Sequence, residues 1–468
     1  MFIILNTYLV MKEFYWGIVI PFAILLILFY IFSLDKVIYL AVFATPLAVD
    51  FGDYDLGANV SIPSEPLLFG ILLIFLLKLI MEGGVDRKLL RHPVTIAILF
   101  NLFWILVTSF TSDMPVVSFK FLIARLWFVV PMYFAGTILF QKFRNIKPFA
   151  WAYMLSLLIV IAYTTYNHWQ FGFSEKAGHW VMTPFYNDHT AYGAILALFL
   201  PVMIGFGLDK DSGSRIRTIS LMVAGVLMIA LFLSFCRAAW LSVAFSLGVL
   251  ILLMFRIKLK WIVLTFSAMA LVFFTFQFEI LDKLEKNKQD TSANLIEHIE
   301  SISNISSDAS NLERINRWQS ALRMYNVHPL FGWGPATYQF EYAPFQRTKE
   351  KTIISTDLGD MGNAHSEYIG PLAESGLIGM LSFIAIMISV LYTGLKVYRK
   401  AEHRQTRLIA LIVTLSLITY FVHGMMNNFL NTDKASVPFW GFIAILVALD
   451  LYHSRNSPEE PVSAKDTE

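Results

Sequence analysis

His365 stands in Asn363-Ala364-His365-Ser366-Glu367-Tyr368, directly before an apolar run. A neutral imidazole there can take a proton from an acceptor hydroxyl, and the same residue type also caps helices or fills cores. Arg237 lies in Ser234-Phe235-Cys236-Arg237-Ala238-Ala239-Trp240, a tight turn between two apolar runs. A permanent guanidinium can hold a phosphate through two N–H groups, or it can snorkel to a membrane interface. Arg314 and Arg317 precede Trp318 and lead into His328-Pro329-Leu330-Phe331-Gly332-Trp333-Gly334. Glycines in such a turn let backbone approach backbone, while a solvated helix face accounts for the arginines equally well.

Other ionisable groups sit within or at the edge of apolar runs, where charge is costly unless it is paired, wetted or bound to something charged. They are Lys120 and Arg125 in one run, Asp188 and His189 opening another, and His423 near the end of a third. Lys120 and Arg125 suit contact with a phosphate or lipid carrier, or pairing with a carboxylate elsewhere in the bundle. Asp188 reads as a helix cap. His423, with Asn427 and Asn428, lines a site or bonds between helices. Asp50, Asp53 and Asp55 form an acidic cluster with the spacing of a possible Mg²⁺ or Mn²⁺ site, although a solvated loop has the same composition. Cys236 is the single cysteine, so an intrachain disulfide is excluded and no thiol chemistry is implied.

The elements that must position these residues are membrane-spanning helices. Over 468 residues 57% are apolar and 15% charged, far from a soluble balance. A hydrocarbon core about 30 Å thick takes roughly 20 apolar residues per crossing, and such runs recur along the chain. They cover residues 15–34, 37–49, 66–81, 95–110, 116–140, 149–166, 191–208, 219–235, 238–255, 261–278, 368–395, 408–422 and 437–451. The expected fold is all-α: a polytopic bundle of about 12–13 transmembrane helices, the count turning on the short second run. A β-barrel would show short alternating strands instead. No cleavable leader pattern opens the chain, no internal repeat is evident, and a net charge of +2 gives no ground for nucleic-acid binding.

Lys and Arg are retained on the cytoplasmic side. They gather at Arg87, Lys88 and Arg91, at Lys142, Arg144 and Lys147, and again around residues 210–217, 256–260 and 396–407. The intervening connections at 51–65, 111–115 and 170–187 hold almost none and are placed outside, with the long segment 281–364. The expected organisation is an N-terminal transmembrane bundle (1–280), a large, mainly helical periplasmic loop (281–365), C-terminal transmembrane helices (366–452) and a polar, disordered cytoplasmic tail (453–468). Every ionisable candidate except Arg125 then lies near the outer face.

Taken together, these motifs resemble the O-antigen ligase and polymerase family of bacterial envelope glycosyltransferases. His365-Ser366, nine residues and Gly376-Leu377-Ile378-Gly379 match the ligase pattern of His, Asn/Ser/Gln, nine residues and Gly-x-x-Gly. Arg314 to Trp318, followed by Pro329-Leu330-Phe331-Gly332-Trp333-Gly334, is similar to the family's Arg-x₃-Trp and Pro-Leu-x-Gly-x-Gly. Arg237 resembles its small-residue-Arg turn, with Cys236 replacing the usual serine. The paired threonines that often follow in ligases are replaced by Met380 and Leu381. The resemblance covers roughly residues 219–395 and implies transfer of a saccharide from an undecaprenyl diphosphate carrier to an acceptor hydroxyl at the periplasmic face of the inner membrane. It implies neither metal nor cofactor. The acceptor is lipid A core, a growing glycan or a protein.

By the same resemblance His365 would deprotonate the acceptor, while Arg237 and Arg314 would hold the departing diphosphate. Arg317, Lys120, Arg125 and His423 complete the expected substrate contacts, and Trp333, Tyr338 and Tyr342 can stack on sugar rings. Two other classes compete. A polysaccharide transporter or lipid flippase would show midplane charge and duplicated broken helices, neither of which is clear here. A metal-dependent oligosaccharyltransferase would work through Asp53 and Asp55.

Overall fold

The computed structural model describes residues 2–13, 17, 20–53, 58–255, 309–352, 355 and 362–454. Its order begins α1 (Phe2–Met11), α2 (Ile20–Phe32), α3 (Leu34–Ala44), β1 (Val49–Asp53), β2 (Ala58–Ile62), α4 (Ser64–Glu82), α5 (Pro93–Phe110), α6 (Pro115–Val129) and α7 (Ile146–Gln170). It continues α8 (His189–Leu208), α9 (Ser214–Leu233), α10 (Arg237–Met254), α11 (Ala309–Val327), α12 (Ile369–Lys400), α13 (Arg404–His423) and α14 (Asp433–Ala448). Short helical turns fill several of the connections.

Among the described residues ten helices are long and apolar enough to cross a bilayer, so the chain is an all-α, multi-pass membrane protein. Each corresponds to one of the apolar runs above. α2 and α3 are shorter, and Pro46 stops α3 in a tight turn at Thr45–Leu47. The run 261–278, the start of the long loop and the tail after 454 lie outside the described residues. The connection around Asp50 contains a hairpin: β1 pairs with β2 antiparallel, Val49 opposite Ile62.

Burial sorts the helices. In the most apolar stretch of α14, 83% of residues are buried, and in α8 and α13 78%, whereas in α10 the share is 22%. α8, α13 and α14 therefore form the centre, and α10 turns most of its surface outward. On the rim, Phe100, Phe103, Ile229, Leu247 and Ile388 are exposed, as lipid-facing side chains should be. Hydrogen bonds cross the interior where polar groups would otherwise be stranded. Tyr153 donates to Lys434 O (2.7 Å), Ser246 to Leu415 O (2.9 Å) and Asn101 to Ser382 Oγ (2.7 Å).

Contacts also segregate the connections into two ends. Lys147 bonds Asp209 (2.7 Å), Lys396 bonds Asp450 (2.7 Å) and Tyr452 bonds Asp86 (3.1 Å), all at the end rich in Lys and Arg. At the other end Asn187 bonds Asp50 (3.2 Å), Asp113 N donates to Trp333 O (3.1 Å) and Glu367 N to Gly424 O (2.8 Å). The two sets of loops assigned from charge are thus the two sets that touch one another.

Candidate active site

The site is organised by a break in α12. Gly376 has φ 69° and ψ −171°, a conformation essentially restricted to glycine, so the regular i to i−4 ladder fails there. A break strands carbonyls before it and an N–H after it, and each must find a partner when buried. The turn Pro329–Gly334 supplies most of them. Trp333 N donates to Ala373 O (3.1 Å), Gly334 N to Glu374 O (2.8 Å), and Leu377 N to Pro329 O (3.0 Å). Trp104 Nε1 takes the remaining Ser375 O (2.8 Å), and its ring stacks on Phe331 at 5.7 Å. A Cβ at Gly376 would sit 2.1 Å from Leu330 O, and one at Gly334 1.9 Å from Ser112 Oγ. Two glycine motifs far apart in sequence are therefore one physical joint, which docks the large loop on the bundle.

Just before α12 the chain turns sharply. His365 is half-buried with φ +47°, and its N–H donates to Asn363 Oδ1 (3.0 Å). Asn363 O in turn accepts from Arg317 Nη1 (3.2 Å). Arg317 is buried, pairs with Glu313 (2.8 Å) one helical turn earlier on α11 and lies over the Tyr342 ring at 5.2 Å. Tyr338 Oη donates to Arg317 O (2.8 Å). The helix of the loop thus grips the residue two before the histidine.

The next residues anchor the other side. Ser366 Oγ accepts from Tyr368 N (3.3 Å) and Ile369 N (3.2 Å), capping α12. Glu367 is buried and accepts from Tyr420 Oη (2.8 Å), Phe429 N (2.8 Å) and Leu430 N (2.9 Å), fixing the α13–α14 connection. Burial raises its carboxyl above the usual range, opposed by the Arg125 charge and by these donors. Arg125 bonds Leu430 O (3.1 Å) and Asn431 Oδ1 (3.0 Å), so it serves the same connection from inside the bundle. Lys120 stands on the exposed face of α6.

The charges that act on His365 come from two helices, α11 and α8. Arg314 from α11 and Asp188 from the start of α8 both act on His365 and on the Cys236 thiol. His423 at the end of α13 lies within electrostatic reach of Arg314, Asp188 and His189, and Arg237 within reach of His189. Asp188 caps α8, accepting from Thr190 N (2.7 Å) and Ala191 N (2.8 Å), as a cap aspartate should. The His179 and His189 rings stack at 4.3 Å. His423 is buried, with Nε2 3.1 Å from Asn427 Nδ2. Arg237 begins α10 directly after buried Cys236, whose thiol burial pushes up to about 12.

The His365 imidazole is pushed down to about 4, first by burial, then by the Arg317 and Arg314 charges, with Asp188 and Glu313 opposing. It is neutral at physiological pH. Of the residues expected from sequence, the structure gathers His365, Arg237, Arg314, Arg317 and His423 at one end, places Arg125 under that end and leaves Lys120 on the rim. Asp50 is engaged by Ser61 and Asn187, and Asp55 lies outside the described residues. Sequence reasoning passed over Glu367 and Trp104. Glu367 carried a signal, an acid at the edge of an apolar run beside the histidine; Trp104 carried none.

The fold and this end of it define a polytopic membrane protein with a loop-roofed, cation-rich site. Residues 219–384 match the family model described as O-antigen ligase. A relative described as an uncharacterized protein of Haemophilus influenzae is 20% identical over 245 residues, 52% of this chain. The match spans 59% of that relative's length.

Proposed function

We propose that the chain transfers a saccharide from an undecaprenyl diphosphate carrier to an acceptor hydroxyl at the periplasmic face of the inner membrane. The observation that carries this reading is the neutral His365 imidazole held beside Arg314 under the docked loop. The acceptor oxygen attacks the anomeric carbon and His365 takes its proton. The bond from that carbon to the diphosphate oxygen breaks, and undecaprenyl diphosphate leaves with its electron pair. Arg314 and Arg237 stabilise the charge that develops on it. Arg317 is a positioning residue, because its guanidinium binds Glu313 and the Asn363 carbonyl.

A lipid diphosphate enters sideways from the bilayer, which suits a centre placed where helices end and a loop begins. Lys120, on the exposed face of α6, is a first contact for the incoming phosphates. An O-antigen ligase with a lipid A core acceptor and a polymerase with a growing glycan acceptor share every one of these steps.

The test is transfer from purified undecaprenyl diphosphate oligosaccharide to candidate acceptors by the reconstituted protein, with EDTA present. His365→Ala is expected to lower the rate about 10²–10⁴-fold, and Arg237→Ala or Arg314→Ala about 10²–10³-fold. Loss of transfer to EDTA while His365→Ala keeps it would replace this reading with a metal-dependent one. Absence of transfer to any acceptor would bring transport forward.

A further inference from the structure

Beside the His365 centre lies a cavity of about 300 Å³. Its wall includes Asn363, whose carbonyl Arg317 holds, and Asp188, whose charge acts on His365. Amides dominate the rest: Gln339 from the loop, Asn187 before α8, and Asn428 and Asn431 from the α13–α14 connection. Asn428 Oδ1 is buried and takes no hydrogen bond from the described residues, so it is an acceptor awaiting a donor. Side-chain amides both donate and accept, which is the pattern needed for hydroxyl groups that do the same. The aromatic rings of Tyr186, Tyr338 and Phe429 add flat apolar surface.

Charge narrows the occupant further. Asp50, Asp188 and Asp433 line the cavity against one ammonium, Lys434, which is held by Ala48 O (2.8 Å) and Asp433. The wall is therefore net negative and repels carboxylate or phosphate groups. The volume is at the low end for small-molecule sites, too small for a prenyl chain. We infer that this cavity is a saccharide subsite adjoining the transfer centre, built for an uncharged sugar and closed to a uronate or phosphorylated one. The inference rests on the proposed glycosyl transfer only for which substrate delivers the sugar, not for the binding itself.

The experiment is saturation-transfer NMR on the full chain in nanodiscs, with a neutral hexose trisaccharide and the same trisaccharide ending in a hexuronic acid. The neutral probe is expected to bind, and the uronate to bind about tenfold more weakly. Gln339→Ala and Asn428→Ala should each weaken the neutral probe about five- to tenfold without moving the thermal midpoint. Asp50→Asn, at the exposed rim, should narrow the gap between probes. Failure of the wild type to bind the neutral probe, equal binding of the two probes, or indifference to both amide variants would overturn the subsite. Binding that follows the expected pattern in a protein that transfers no saccharide would instead sink the transferase reading and leave the subsite standing.

Discussion

His365 is held neutral by desolvation and by two neighbouring guanidiniums, and both causes leave a signature in pH dependence. A base works when deprotonated, so transfer is present above its pKa and lost as pH falls through it. For the free protein kcat/KM should keep its acid limb near about 4, well below the ordinary imidazole value. Bound diphosphate beside Arg314 would offset part of the positive field, so the limb in kcat should lie higher than that in kcat/KM. Stability follows the same sign: the unfolded chain takes up the proton first, so stability falls as pH drops from 6.5 towards 4. Rate profiles whose limbs both sit at 6.5 would contradict this account of the site. Glu313 and Asp188 limit the depression, and Glu313 itself is kept below the carboxylate range by Ser355, Thr352 and Arg317 against the effect of burial.

At the scale of elements, the break in α12 is the device that ties loop to bundle. Gly376→Ala would force an L side chain into a conformation costing about 1–3 kcal/mol and drive its Cβ into Leu330 O. The thermal midpoint should fall by several degrees, in line with about 4–8 °C per kcal/mol for small domains and less for large ones. Transfer should fall with it, because the loop carrying Arg314 loses its seat. An unchanged midpoint with full transfer would mean the joint is not needed. The pairing behind this joint was invisible in sequence. Both glycine motifs could be seen at Gly332 to Gly334 and at Gly376 to Gly379, but backbone bonds between segments some forty residues apart leave no periodicity. The β1–β2 hairpin escaped for a similar reason: five-residue strands carry too little alternation to stand out from a polar loop.

At the scale of the molecule, the spans were legible because hydrocarbon thickness fixes helix length, and the ends because Lys and Arg mark one side. His365 and Arg237 drew attention because charge at a membrane edge demands a reason, and Arg314 through its spacing to Trp318 and the glycine turn that follows. Arg125 and Glu367 show where that filter stops: it picked out Arg125 without saying which loop that charge organises, and it passed over Glu367 beside the histidine. Orientation is directly testable because the one native thiol, Cys236, is buried and little ionised. Cysteines introduced at exposed Asp113 and Lys176 should react with an impermeant maleimide in intact spheroplasts. Those at exposed Lys142 and Lys210 should react only after lysis. The reverse pattern would put the site in the cytoplasm and remove the lipid-diphosphate reading.

The most direct measurement of the central claim follows one preparation of His365→Ala through two steps, binding of undecaprenyl diphosphate oligosaccharide and its transfer to an acceptor. The account predicts donor affinity within about threefold of wild type and a transfer rate lower by about 10²-fold or more. Transfer at the wild-type rate by a variant lacking the imidazole would contradict it.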